Sequence, residues 1–343
     1  TDTDTDTDTD TDVDAGEDAG DDAGDGGNTD NTDGLFYSVG QAGHIWRFEP
    51  PQTWTQLVSN VTKELVCIHG ISDGSLIMAG GADGLILQST NQGASWSEMT
   101  TPRGNNWMVN SIYIVSSTEA WAVADNGAGT GDAWYWNGAN WTISRTQPNG
   151  GWWGVWAGGT TGNPYVASGV YSTYNLWRRT ADWANDATSQ THGAQSVVGK
   201  SDESKIWIHH ESGGGSSDLY EGKWGGPWTQ ITGTPTHAGR LGNSLWKNSN
   251  DKIYVCGLGS GNFAVVDTWD GITRERVLDL HPLNTGFSGI YGTNDNSILV
   301  VNVIGYATTS TYAYWYDGIT WNPVPIPIVN IGFRGVWGYV PDA

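Results

Sequence analysis

Seven times along the chain, at intervals of 42 to 48 residues, a small residue precedes an aliphatic one within a strand-like run. The pairs are Cys67-Ile68, Ser111-Ile112, Gly154-Val155, Ser196-Val197, Ser244-Leu245, Gly289-Ile290 and Gly335-Val336. A large ring follows in most of them, as His69, Tyr113, Trp156, Trp246, Tyr291 and Trp337, and Val198 breaks that column. A fixed period in this range, filled with short strands, predicts a β-propeller, and seven repeats predict seven blades.

Around each triplet the grammar is constant. A turn rich in Gly, Asp, Asn and Ser follows the first strand, as at Thr293-Asn294-Asp295-Asn296. A hydrophobic second strand comes next, such as Ile298-Leu299-Val300-Val301, and then a third such as Tyr312-Ala313-Tyr314-Trp315. A glycine turn leads to a fourth strand opening on tryptophan, as in Asn137-Gly138-Ala139-Asn140-Trp141. These runs read as antiparallel hairpins. No window holds a sustained 3.6-residue apolar period, so essentially no helix is expected. Alternation sends the aliphatic residue of each triplet to one face, and the small residue and ring to the other. Near the axis the small column admits close approach of first strands, while the aliphatic column packs blade on blade.

Residues 35–57 supply second, third and fourth strands without a first, and a lone triplet follows at Gly335-Val336-Trp337. That last strand is therefore expected to complete blade 1 and leave no open edge at the seam. Of the two cysteines, Cys67 falls in the first strand of blade 2 and Cys256 in the second strand of blade 6. Those blades are not neighbours, so two buried free thiols are expected rather than a disulfide.

Residues 1–34 are a separate population from the propeller at 35–343. They hold 14 of the 37 acidic residues and no Lys or Arg, which leaves the remainder at about −8 of the total −22. Thr-Asp pairs and Asp-Ala-Gly triplets have almost nothing apolar to bury, so a disordered or extended tail is expected. Asp30-Asn31-Thr32-Asp33-Gly34 hints at a calcium loop, but the glycine is out of place and no closing Glu follows. The expectation is weak, diffuse calcium binding by a polyanion and no resident cofactor. An acidic chain argues against nucleic acid and anionic membranes as partners. No apolar run approaches the roughly 18 residues of a membrane span. Low lysine content with 49 glycines and 21 tryptophans fits an exported bacterial protein, extracellular or at the cell surface. Opening directly on the acidic repeat, the chain reads as a processed one.

Blade 2 carries Ser89-Thr90-Asn91-Gln92-Gly93-Ala94-Ser95-Trp96. This resembles the Asp-box, Ser-x-Asp-x-Gly-x-Thr-Trp, of the sialidase-type (BNR) and Ycf48-like propellers, with Asn91 in place of Asp and Ser95 in place of Thr. Gly154-Val155-Trp156-Ala157-Gly158 and Gly289-Ile290-Tyr291-Gly292 are similar to repeats of exported bacterial propellers. The resemblance spans residues 35–343 and implies the fold. It also raises sialidase chemistry, which needs three convergent arginines, a Tyr/Glu nucleophile pair and an acidic Asp. Of nine arginines, only Arg334 stands just before a small–aliphatic pair.

That preceding position is where the repeat stops repeating: Val66, Asn110, Trp153, Gln195, Asn243, Ser288 and Arg334. Its polar and aromatic members, Asn110, Trp153, Gln195, Asn243, Ser288 and Arg334, are expected to rim the central funnel and to hold a ligand. Planar hydrogen-bonding groups beside a ring suit a carbohydrate. His192, His237 and His281 lie in successive inter-blade connections, but their unequal offsets argue against a shared metal. His209 and His210 point to opposite strand faces, and His69 reads as a core substitute for Trp or Tyr. Trp107, Trp183 and the pair Trp152-Trp153 are expected to be exposed.

The sequence thus points to an extracellular binding module for glycan or another surface polymer, without enzymatic activity. A subunit of a self-assembling filament or surface layer, joined into homo-oligomers through the acidic tail, is the first alternative. A sialidase-like hydrolase ranks third.

Overall fold

Short alternating strands separated by glycine turns fold here into antiparallel four-stranded blades around one axis. The structure, a computed structural model, describes residues 33–148, 150–170, 173–186, 193–211, 217–231, 237–238, 244–259, 263–280, 286–302, 313–327 and 331–341. The expectations for residues 1–32 lie outside them.

Blade 1 is closed as the lone triplet predicts: Phe333–Tyr339 pairs with Leu35–Gly40, which continues into Ile45–Glu49 and Thr53–Leu57. The inner strands of the other blades are Leu65–Gly70, Met108–Ser116, Gly151–Trp156, Gly193–Gly199, Leu245–Lys247 and Phe287–Asn294. The ring therefore has seven blades, and no helix is described beyond the single 3-10 turn Gln41–Gly43.

One feature departs from seven independent sheets. Blades 5 and 6 form a single nine-stranded sheet, because His237–Ala238 pairs with Ser217 on one side and with Leu258 and Gly259 on the other. Backbone N–H and C=O groups that run past the end of their own blade must find partners, and this two-residue strand supplies them.

The core is divided by interface. Among the described residues each pair of adjacent blades has its own hydrophobic cluster. The aliphatic column does what alternation requires: Ile68, Ile112, Val155, Val197, Leu245, Ile290 and Val336 each join the cluster shared with the preceding blade. Each fully buried side chain of this kind contributes roughly 1.5–3 kcal/mol. Cys67 and Cys256 are buried free thiols, Cys67 donating to the carbonyl of Val109 across an interface at 3.4 Å. Burial pushes the Cys67 thiol up to about 12 and raises Cys256 as well.

Candidate functional site

The inner strands have two ends of different construction. At the upstream end, among the described residues, the residue before the small one is the extra residue of a β-bulge in six blades. Leu65 pairs with Gly81 and Cys67 with Gly80, so Val66 is skipped. The same slip occurs at Asn110, Trp153, Gln195, Ser288 and Arg334. A bulge breaks alternation and re-aims the side chain.

Three of these side chains are aimed at the next blade. Asn110 Nδ2 donates to the carbonyl of Trp152 at 2.8 Å and also to Asp125. Ser288 Oγ is fully buried and donates to the carbonyl of Phe333 at 2.6 Å, with that of Val301 at 3.2 Å. Arg334 Nε donates to Glu64 Oε1 at 2.9 Å. Gln195 is buried, and Trp153 is 37% exposed. Asn243 lies outside the described residues. Close approach accompanies this stitching: a Cβ on Gly154 would stand 2.7 Å from the carbonyl oxygen of Gln195.

At the downstream end the ring column forms a girdle. Trp246 and Tyr291, Tyr291 and Trp337, Trp337 and His69, and His69 and Tyr113 follow one another with centroids 6.4, 6.4, 6.2 and 4.3 Å apart. At six of the seven interfaces the residue after the ring column is matched in size to the ring-column residue of the preceding blade. Gly70, Gly199 and Gly292 lie under Trp337, Trp156 and Trp246, and a Cβ on Gly199 would be 2.6 Å from the Trp156 ring. After the smaller rings His69 and Tyr113 the next blade carries Ile114 and Ala157, and after Val198 it carries Lys247. Where the ring shrinks the neighbouring side chain grows, except after Tyr291, which is followed by Gly338.

Inside this girdle lies an axial cavity of about 320 Å³. His69, Tyr113, Trp156, Trp246 and Tyr291 wall it, with Ser111, Ser196, Ser201, Val198 and Lys247. Ser201 is exposed, so the cavity meets solvent at the downstream end. None of Asn110, Trp153, Gln195, Ser288 and Arg334 lines it. Among the described residues Lys247 is its one formally charged wall residue, and no Asp, Glu or Arg contributes.

The histidine and tyrosines of the cavity are held neutral by burial. The His69 ring is pushed down to about 3. Its Nδ1 accepts from the Ile114 N–H at 3.1 Å, so the proton sits on Nε2. Burial pushes Tyr113 up to about 12, and raises Tyr291 further with the Tyr113 hydroxyl nearby. The cavity therefore offers hydroxyls, an imidazole N–H, indole faces and one ammonium.

Other sequence candidates are accounted for locally. His209 is buried with Nδ1 2.7 Å from Ser244 Oγ. His192 and His281 lie outside the described residues, and for His237 only the strand pairing is described. No cluster of His, Cys, Asp and Glu suited to a metal occurs among the described residues. Trp152 is fully buried in the interface between blades 3 and 4, a correction to its expected exposure, because the bulge turns only Trp153 outward. Trp107 is half-buried with Arg103 over its ring, and Trp183 is half-buried with its indole N–H on Ser144. In the blade 2 turn, Asn91 Oδ1 accepts from the Ser95 N–H and the Ser89 hydroxyl, both at 2.9 Å, over a buried Trp96. An amide oxygen there fills the acceptor role of a carboxylate.

No protein-family model and no curated protein sequence matches the chain. Solved structures do. A Ycf48 protein bound to a D1 peptide is 15% identical with a TM-score of 0.59, over 78% of this chain and 85% of that one. A candidate 6-phosphogluconolactonase from Bacteroides uniformis is 11% identical with a TM-score of 0.61, over 88% and 99%. The WD40 propeller domain of Doa1 is 14% identical with a TM-score of 0.56, over 78% and 86%. At these identities the likeness is one of fold. No described helix is long and apolar enough to cross a membrane.

Proposed function

We propose that this protein is a non-catalytic binding module that holds a sugar unit of an extracellular glycan in the axial cavity. The observation that carries the reading is the wall itself. Rings from several blades face a cavity of about 320 Å³ beside hydroxyl and N–H donors, the lower end of the size range for small-ligand sites. Indole and phenol faces take the apolar face of a sugar ring, while Tyr113, Tyr291 and the serines meet its hydroxyls.

The same wall supports the absence of hydrolysis. Glycoside cleavage uses a pair of carboxylates flanking the bond, and among the described residues no carboxylate lines the cavity. The arginines that a sialidase-like site would need are engaged elsewhere: Arg103 with Asp132, Arg178 with Glu203, Arg274 and Arg276 with Asp267, and Arg334 with Glu64. The acidic segment at residues 1–34 would serve as a soluble tether at the cell surface.

A second reading is favoured by the likeness to Ycf48 with its D1 peptide: the cavity mouth would take a peptide segment. Titration of tryptophan fluorescence with neutral and acidic oligosaccharides, in parallel with a peptide library, separates the two. Saturable quenching by an oligosaccharide that is lost in Trp246→Ala is the expected result. No response to any sugar, with a saturable response to peptides, would replace the glycan reading by the peptide one.

A further inference from the structure

The ring column is broken at Val198, and the one cation among the described residues that line the cavity stands beside it. Each tryptophan of the ring column lies over a glycine of the next blade, as Trp156 does over Gly199. Blade 5 presents Val198 instead, and the position of blade 6 that would otherwise carry a small residue carries Lys247. Both line the cavity. A ring at 198 would occupy the volume that the lysine stem uses, so valine and lysine are one matched exception.

Two of the three ammonium protons of Lys247 go to Asn248 O and Asp251 Oδ1, each at 3.0 Å. Asp251 is shared: Lys200 contacts its other oxygen at 2.5 Å. Lys200 and Asp251 stand beside Ser201 at the cavity mouth, and of the two lysines on Asp251 both are paired but only Lys247 lines the wall. Asp202 holds Ser204 and also lies close enough to Lys200 that each favours the other's charged form, so it offsets Lys200 outside the wall. Neutral His69 adds no second positive charge, and among the described residues no carboxylate lines the wall. The Lys247 ammonium is therefore offset only from outside it, by Asp251. The acidity of the rest of the chain is screened beyond a Debye length of about 8 Å. Against low-dielectric aromatic walls, an ammonium selects a ligand that brings its own negative charge.

We infer that the axial cavity is specific for an acidic glycan, a uronic-acid unit whose ring lies against the aromatic wall and whose carboxylate pairs with Lys247. This rests on the glycan reading of the same cavity. The test compares oligogalacturonate and oligoglucuronate with the same oligosaccharides methyl-esterified, which removes the charge and keeps the ring. Calorimetric titration is run on the full chain and on Lys247→Gln. The expected result is binding of at least one acid about tenfold tighter than its ester, a ratio that falls to near one in Lys247→Gln. Added salt should weaken the acid and leave the ester alone. The acid–ester comparison on the unaltered protein stands even if the variant misfolds. Equal affinity for acid and ester, or binding of neutral oligosaccharides only, overturns the inference and leaves the glycan reading standing. Silence toward every sugar, acidic or neutral, overturns both.

Discussion

The two ends of the inner strands treat a departure from the repeat in opposite ways. Upstream, the variable residues sit on bulges, and the next blade absorbs them: Asn110 on Trp152, Ser288 on Phe333 and Arg334 on Glu64. Downstream, one departure, Val198, leaves a gap into which the next blade sends Lys247 at the cavity wall. Variability in a repeat is therefore not in itself a sign of recognition. What matters is whether a neighbouring blade consumes the variable side chain or the cavity receives it.

Substitutions can break this contrast directly. The largest effect is expected upstream, from Gly154→Val, because backbone surrounds the site and the Gln195 carbonyl would stand 2.7 Å from the new Cβ. Overpacking that cannot relax costs about 3 kcal/mol, read as a lower urea midpoint. Gly199→Ala should cost less, about 1–3 kcal/mol, since the obstacle is a side chain, the Trp156 ring. In a Trp156→Val background, itself destabilised by loss of a buried ring, Gly199→Ala should cost little more. A double-mutant cycle with no coupling would refute the size matching between ring and next residue. Ser288→Ala removes a buried hydroxyl and should cost about 1–2 kcal/mol.

The pH dependence belongs to the downstream end. The His69 ring titrates near 3 in the fold against 6.5 in the open chain. Between those values the unfolded state binds the proton and the folded state does not. Stability therefore rises with pH across this window and is lost as pH falls through it. Unfolding midpoints of His69→Phe should show a shallower slope between pH 4 and 6.5 than the unaltered protein. The smallest effect is Arg334→Gln, under about 1 kcal/mol, because its ion pair with Glu64 is partly exposed.

Blade number, ring closure and the two isolated thiols were legible because each follows from a period and from where the columns begin and end. The bulges were not. Alternation carried upstream by one residue places Asn110, Ser288 and Arg334 on a funnel rim, and a single inserted residue in the ladder cancels that inference at the same point in blade after blade. The importance of Lys247 was hidden for another reason. Read down its own column it is only a polar residue after a tryptophan. Its meaning lies in the pair it makes with Val198, a whole blade earlier, and only reading columns across neighbouring repeats brings it out.

Blade 1 is built from both ends of the propeller, with Leu35 in register with Tyr339 and Phe36 with Gly338. The two strands of that seam run antiparallel, and the chain leaves both from the same side. Tension applied between residue 34 and residue 340 would load the first pair alone, then the next, and so part the seam as a zipper rather than in shear. Force applied across that seam would meet its weakest joint there, while the six remaining blades stayed shut.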